Sequence, residues 1–174
     1  MVTDSEAIAA KLRVLRHVGQ DGKYNHVVKG YNSRLDNLQA AVLRVKMPHV
    51  EAWNAGRRRM AAIYDRGLAG AGIGMPPTGD DRTGSQHLYV VEVEGRDAVQ
   101  LALAECGIGT SIHYPIPIHL QPAFADLGLP AGAFPRSEAS VAQVLSLPMF
   151  AEMSDNDAEY VVASLLAVTG GGSG

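Results

Sequence analysis

Apolar residues recur at helical spacing along the first third of the chain, and this spacing predicts three helices. Thr3 and Ser33 each stand three residues before an acidic residue, which is a pattern typical of helix N-termini. The predicted helices cover residues 4–17, 33–46 and 48–68. Their apolar faces are formed by Ile8, Leu12 and Leu15, by Leu35, Leu38, Val42 and Val45, and by Val50, Trp53, Met60, Tyr64 and Leu68.

The pattern changes after a connector rich in glycine and proline at residues 70–84. Residues 88–93 are mostly β-branched or aromatic, which predicts a strand. Helices alternate with short strands from here on, so we expect an α/β unit with helices on one face of a three- or four-stranded sheet. The other predicted elements are helices at 96–106, 137–144 and 154–168, a strand at 108–113 and an extended segment at 145–149.

These patterns divide the chain into four predicted parts. Residues 1–69 form a helical arm and interface segment, and residues 70–84 connect it to a small α/β domain at residues 85–169. The glycine-rich end, residues 170–174, is expected to be a flexible tail. Because the first helix opens directly at the start of the chain, we also expect that a preceding segment is missing.

Composition and charge exclude several classes of function. A net charge of -3 provides no general basic field for nucleic acid, and the start of the chain has no apolar run of signal-peptide or membrane-spanning length. The single cysteine, Cys106, excludes an internal disulfide framework, and we interpret it as a small hydrophobe on an apolar helix face. A cytoplasmic protein is predicted, with no nucleic-acid or membrane partner.

Several segments resemble the DegT/DnrJ/StrS family of pyridoxal-phosphate sugar aminotransferases. They are GYNSRLDNLQAAVLRVKM, RRRMAAIY, HLYVVEV, GRD, IHYPIPIH and VLSLPM, and their order also matches the family from about Val2 to Val168. The resemblance implies the C-terminal small domain of a fold-type I aminotransferase, with a short mixed or antiparallel sheet and a long helical arm. It also implies a homodimer that transfers an amino group, from glutamate, to a keto group of a nucleotide sugar.

The resemblance places the cofactor-binding lysine of the family outside this chain. In the family, that Schiff-base lysine lies in a large domain that precedes the small one. Lys11, Lys23, Lys29 and Lys46 lack the flanking residues of the family motif, so we interpret them as surface charges. One lysine serves the cofactor as both amine and base, so this chain alone is expected to be inactive.

The same resemblance assigns roles to two groups of residues in the arm. Asn32 and Arg34 are expected to contact the phosphate of the partner subunit's pyridoxal phosphate, and Tyr24 and His26 to line the neighbouring site for the nucleotide sugar. The local sequence offers a simpler alternative for each. Asn32 also suits a turn, Arg34 a surface charge, and Tyr24 and His26 an ordinary surface loop.

His113 and Tyr114 are the candidate substrate-binding residues of the small domain, again by resemblance. The alternative is that they form a structural turn at the end of a strand. His113 and His119 invite a metal interpretation, but the proline-restrained chain between them spans up to ~20 Å, too far for one shared ion. No metal site is predicted.

Two further functions remain open from the sequence. Without the lysine, the chain could be a non-catalytic module that dimerises or binds a nucleotide sugar. It could also belong to a relative that uses pyridoxamine phosphate to dehydrate sugars. The upstream open reading frame distinguishes these alternatives from a sugar aminotransferase.

Overall fold

The computed structural model describes residues 2–76 and 83–170 of the 174 residues. It consists of two compact units, Met1–Pro48 and His49–Gly174, which are described separately below. The α-helices are α1 (Glu6–Arg16), α2 (Asn37–Lys46), α3 (Val50–Leu68), α4 (Arg96–Glu105), α5 (Pro135–Gln143) and α6 (Asp155–Thr169). The strands are β1 (Tyr89–Glu92) and β2 (Val144–Leu147), and short 3₁₀ turns occupy Met47–His49, Ile118–Leu120 and Pro122–Leu127.

The first unit contains α1, α2 and the loop between them. Ser5 caps α1 by accepting a hydrogen bond from the Ile8 amide, whereas α2 begins after Asp36, whose side chain makes no capping bond. The predicted cap at Ser33 is therefore wrong, because that residue lies before the helix and its amide donates to the Arg16 carbonyl. Neither helix has a buried residue, and Gly19 alone is buried within residues 2–48.

The second unit has a continuous hydrophobic core built on α3. Met60, Tyr64 and Leu68 recur at intervals of four residues, and each is fully buried. This face of α3 packs on α6, whose N-cap Ser154 accepts from the amide of Asp157 as predicted. The helix pattern of the sequence is confirmed for α3, α4, α5 and α6.

The sheet is smaller than predicted. Strands β1 and β2 pair antiparallel from Tyr89 with Leu147 to Glu92 with Val144. Single bridges continue the sheet at its edges, Gly74 with Glu92 and Ser111 with Ser146. The described residues therefore form two strands, not three or four.

The strand predicted at residues 108–113 is accordingly wrong. Only Ser111 pairs with β2. Gly107 and Gly109 precede it and Pro115 follows, and these residue types weaken or interrupt a sheet ladder. The prediction that Cys106 packs as a small hydrophobe on an apolar helix face is also wrong. Cys106 is the C-cap residue of α4 and is exposed.

The division of the chain into compact units falls between residues 48 and 49, whereas the sequence places its boundary in the connector at residues 70–84. Helix α3 belongs to the second unit because its apolar face forms part of that core. The interpretation of residues 1–69 as an interface segment stays a prediction. Part of the connector, 77–82, and part of the expected tail, 171–174, lie outside the described residues.

Candidate functional site

The loop of residues 17–33 holds three of the predicted site residues, Tyr24, His26 and Asn32, and Arg34 directly follows it. Backbone hydrogen bonds fix both ends of this loop to α1. The Tyr31 amide donates to the Leu15 carbonyl at 2.7 Å, and the Ser33 amide donates to the Arg16 carbonyl at 3.0 Å. The Val18 amide donates a hydrogen bond to the Tyr31 carbonyl at 2.9 Å. The loop therefore leaves the helix and comes back to it in a defined conformation.

Two glycines permit the closest approach within this loop. Gly19 has φ +77°, and a Cβ atom there would lie 1.7 Å from the Val28 carbonyl oxygen. A Cβ on Gly30 would lie 2.0 Å from the Gly19 nitrogen. The amides of Val27 and Val28 both donate to the Gly19 carbonyl. The two sides of the loop thus cross with no room for a side chain at either glycine.

His26 is fixed by both of its ring nitrogens. Its Nδ1 lies 3.0 Å from the Val18 carbonyl oxygen, which can only accept, so Nδ1 carries the proton that is donated. Its Nε2 lies 3.2 Å from the Gln20 side-chain nitrogen and accepts from it in the neutral ring. His26 therefore holds the loop together, and its predicted contact with substrate stays a prediction.

Tyr24 stands out from the loop. Its side chain is 78% exposed, and its φ of +64° is uncommon for a residue with a side chain. The Lys23 ammonium lies 5.2 Å from the centre of its ring, within cation–π range. An exposed aromatic ring beside a cation can stack on a flat ring and attract an anionic group.

Asn32 and Arg34 lie where the loop returns from the end of α1. Asn32 pairs with His17 in an isolated antiparallel bridge, which fixes its backbone, and the side chains of Asn32 and Arg34 are both exposed. An amide and a guanidinium are hydrogen-bond donors that suit a phosphate. The first unit thus brings Tyr24, His26, Asn32 and Arg34 together in one loop and its flank.

The second unit contains the other predicted pair. His113 is half-buried, and its Nδ1 lies 2.8 Å from the Ser146 hydroxyl oxygen in β2. Tyr114 is 70% exposed, and its ring meets the His113 ring edge-on with the centroids 5.4 Å apart. The pair is therefore held from the sheet on one side and open to solvent on the other.

A groove of about 760 Å³ extends from Tyr114 along the chain that follows it. Its walls are mainly apolar and include Ile118, Phe124 and Phe134. No sequence pattern indicates this groove, because most of its walls come from loop and 3₁₀ segments without periodicity; Ser137 and Val141 are contributed by α5.

The Glu138 carboxylate holds one wall of the groove in place. It accepts the Gly132 amide at 2.9 Å, the Phe134 amide at 3.2 Å and the His119 Nε2 at 3.0 Å. These bonds, first of all the one from the Gly132 amide, lower the pKa of Glu138 below its ordinary value. The sequence signal is its position in the first turn of α5, where a carboxylate can accept amides that lack helical partners.

We expect acid to release this wall. Because the pKa of Glu138 is lowered in the folded protein, its stabilising contribution is present above about pH 4.3 and is lost as the pH falls through the folded value. In NMR spectra below about pH 4.3, the Gly132 and Phe134 amide protons should shift together. Glu138→Gln should abolish that shift.

The Ala133 amide is the internal control, because it donates to the Pro130 carbonyl and not to Glu138. It should respond weakly in both proteins. Equal shifts of Gly132 and Ala133, unchanged in Glu138→Gln, would contradict the role of Glu138.

His113 and His119, which invite a metal interpretation in the sequence, have different hydrogen-bond partners in the structure. His113 bonds Ser146, and His119 bonds Glu138. Within residues 2–76 and 83–170, no group of three or more His, Cys, Asp or Glu residues has the geometry to hold an ion.

Within the described ranges, no helix combines the length and apolar character needed to cross a membrane.

Known proteins match this chain along nearly its whole length. A profile of the DegT/DnrJ/EryC1/StrS aminotransferase family matches residues 1–166. The erythromycin biosynthesis sensory transduction protein EryC1 of Saccharopolyspora erythraea is 46% identical over 168 residues, which cover 96% of this chain and 46% of that protein. The dTDP-3-amino-3,4,6-trideoxy-alpha-D-glucose transaminase of Streptomyces venezuelae is 47% identical over 150 residues, covering 86% of this chain and 40% of that protein.

A solved structure extends the agreement to the fold. The structure of S. venezuelae DesV in complex with a ketimine intermediate superimposes with a TM-score of 0.92 at 42% identity. The superposition covers 99% of this chain and 46% of that one. The chain thus spans about half the length of the relatives that it matches.

Proposed function

Because this chain belongs to the DegT/DnrJ/EryC1/StrS aminotransferase family, we propose that it is the C-terminal part of a pyridoxal-phosphate-dependent sugar aminotransferase. The whole enzyme would transfer an amino group, from glutamate, to a keto group of a nucleotide sugar. The observation that supports this most strongly is the family match over residues 1–166, together with the 47% identity to a transaminase of a dTDP-linked amino sugar.

The donors on the first unit fit the phosphate end of the cofactor. Asn32 offers an amide and Arg34 a guanidinium, both exposed beside a loop whose backbone is fixed. We propose that they hold the phosphate of pyridoxal phosphate bound to the partner subunit of a homodimer. When bound, pyridoxal phosphate supplies the electron sink for amino transfer. The two side chains bind and orient its anionic end.

The remaining site residues would act on the nucleotide sugar. Tyr24 presents an exposed ring with the Lys23 cation beside it, an arrangement that suits a nucleotide base and its phosphates. His26 fixes the shape of that loop through Val18 and Gln20. His113 and Tyr114 are proposed separately as residues that contact a nucleotide-sugar substrate.

The lysine that binds the cofactor is proposed to lie in a preceding large domain. Lys11, Lys23, Lys29 and Lys46 are all exposed, which agrees with their interpretation as surface charges. We therefore propose that this chain alone is inactive and that it works together with the large domain in the cytoplasm. Its similarity to proteins about twice its length supports that proposal.

Amino transfer tests the proposed function. The full-length protein that contains this segment, supplied with pyridoxal phosphate, ¹⁵N-glutamate and a dTDP-linked keto sugar, should yield a ¹⁵N-labelled amino sugar by mass spectrometry. The 174-residue chain under the same conditions should yield none. Labelled product from the chain alone would contradict the proposed position of the lysine. No product from the full-length protein with dTDP- or UDP-linked keto sugars would contradict the proposed activity.

A further inference from the structure

Ser146 is the one polar residue of β2, whose other residues are Val144, Leu145 and Leu147. All four residues of β2 are buried, and Ser146 is 4% exposed between Leu145 and Leu147, which are 0% and 3% exposed. A hydroxyl in such surroundings costs free energy unless it is hydrogen-bonded. The partner of this hydroxyl therefore indicates why a serine occupies the position.

That partner is the His113 imidazole. The Ser146 hydroxyl oxygen and the His113 Nδ1 are 2.8 Å apart. Ser146 also fixes the chain that leads to His113, since its amide donates to the Ser111 carbonyl at 2.7 Å and its carbonyl accepts from the Ser111 amide at 3.2 Å. Three hydrogen bonds from one residue of the sheet thus set the position of the imidazole.

The bond to Nδ1 also determines which nitrogen faces outward. A neutral imidazole carries its proton on one nitrogen, and the serine hydroxyl can donate to an unprotonated Nδ1 or accept from a protonated one. With Nδ1 engaged by Ser146, Nε2 remains for a second partner on the half-exposed side of His113. The ring of Tyr114 meets His113 edge-on, which limits its rotation.

From this geometry we infer that Ser146 is a positioning residue, whose hydroxyl donates to His113 Nδ1 and holds the ring in one orientation, with the proton on Nε2 to donate to an oxygen of the nucleotide-sugar substrate. The inference rests on the proposed function, in which His113 contacts that substrate. Ser146 itself lies in the sheet and does not touch the substrate.

The first measurement needs no substrate. In the 174-residue chain at about pH 8, where an ordinary histidine is neutral, two-bond ¹H–¹⁵N spectra distinguish the tautomers of His113. The wild-type ring should show one predominant tautomer. Ser146→Ala should move the ¹⁵N chemical shifts of both ring nitrogens toward values averaged over the two tautomers. Ser146→Thr keeps the hydroxyl and should restore the wild-type chemical shifts.

The second measurement separates positioning from a structural role in the full-length enzyme. Ser146→Ala should raise KM for the nucleotide sugar about tenfold with little change in kcat, the size expected for one lost hydrogen bond. Ser146→Thr should have a KM close to that of the wild type. Ser164→Ala is the matched control, because it removes another buried hydroxyl, which lies on α6 and not in the sheet. It should change stability only.

The outcomes are distinguishable. If His113→Ala raises KM but Ser146→Ala changes neither KM nor the tautomer, the inference is wrong and the proposed contact of His113 stands. If His113→Ala leaves KM unchanged, the inference about Ser146 and the proposed substrate contact of His113 are both wrong. If Ser146→Ala lowers stability as Ser164→Ala does and changes nothing else, Ser146 is only a structural residue.

Discussion

Gly19→Ala should unfold the loop between α1 and α2. Its Cβ would lie 1.7 Å from the Val28 carbonyl oxygen and 3.1 Å from the Gly30 nitrogen. Both are backbone atoms of the same loop, so neither can rotate away. The φ of +77° adds the ordinary penalty for a side chain in the left-handed region. We expect the loop to be destabilised by more than about 4 kcal/mol, a size that few single substitutions reach.

Gly22→Ala is the matched control. Gly22 lies in the same loop at φ +78°, but a Cβ there would have no atom within 4 Å. It should therefore cost only about 1–2 kcal/mol for the backbone conformation. The difference between the two variants isolates the close crossing at Gly19 from the effect of φ.

Hydrogen exchange of the Val27 and Val28 amides reports the result, because both donate to the Gly19 carbonyl. Their protection should disappear in Gly19→Ala and persist in Gly22→Ala. Equal protection in both variants would show that the segments around Gly19 and Val28 can separate to admit a side chain, and the loop would then not be rigid at this crossing.

The sequence predicted helices well because helix periodicity is local. The stripe of Met60, Tyr64 and Leu68 became the fully buried face of α3. The stripes of α1 and α2 also predicted helices, yet neither helix buries a residue, and Leu38 is 79% exposed. Periodicity thus shows which face of a helix is apolar, but not what that face packs against.

The sheet and the hydrogen-bond network were harder to predict because their contacts are distant in the sequence. Ser111 pairs with Ser146, and no local pattern shows that this pairing stops after one bridge. The Ser146 hydroxyl lies in a run of apolar residues whose extended form was predicted, but its partner His113 is 33 positions away. The carboxylate of Glu138 likewise contacts His119, which is 19 positions away.

Site residues present a different difficulty. Asn32, Arg34 and Tyr24 are exposed, so neither burial nor periodicity distinguishes them from ordinary surface residues. The family resemblance supplied their roles, and the structure adds that the loop around them has a fixed backbone. Their contacts with cofactor and substrate stay predictions that mutation must test.

Asn32→Ala should weaken binding of pyridoxal phosphate by the full-length enzyme. Its side chain is exposed, and we propose that it donates to the cofactor phosphate of the partner subunit. Loss of a hydrogen bond to a charged group costs about 1.5–3 kcal/mol, which corresponds to roughly a ten- to hundred-fold higher Kd. The thermal stability of the cofactor-free form should change little, because the side chain is not part of a core.

Asn25→Ala is the control for this variant, since Asn25 is also an exposed asparagine of the same loop. It should bind the cofactor as the wild type does. Equal Kd values for the wild type and Asn32→Ala, by spectroscopic titration, would identify Asn32 as the ordinary turn residue that its local sequence suggests.

Mixed dimers test most directly the central claim, that this segment completes the cofactor site of its partner. One subunit carries Asn32→Ala, the other lacks the cofactor-binding lysine, and two different affinity tags allow the heterodimer to be isolated. The assay uses a pyridoxal phosphate concentration that saturates the wild type but not the Asn32→Ala homodimer. If Asn32 acts across the interface, both changes fall in one site and the second site is intact, so the heterodimer should keep about half the wild-type activity. A heterodimer with no more activity than either mutant homodimer would show that each change damaged a different site, and the claim would be wrong.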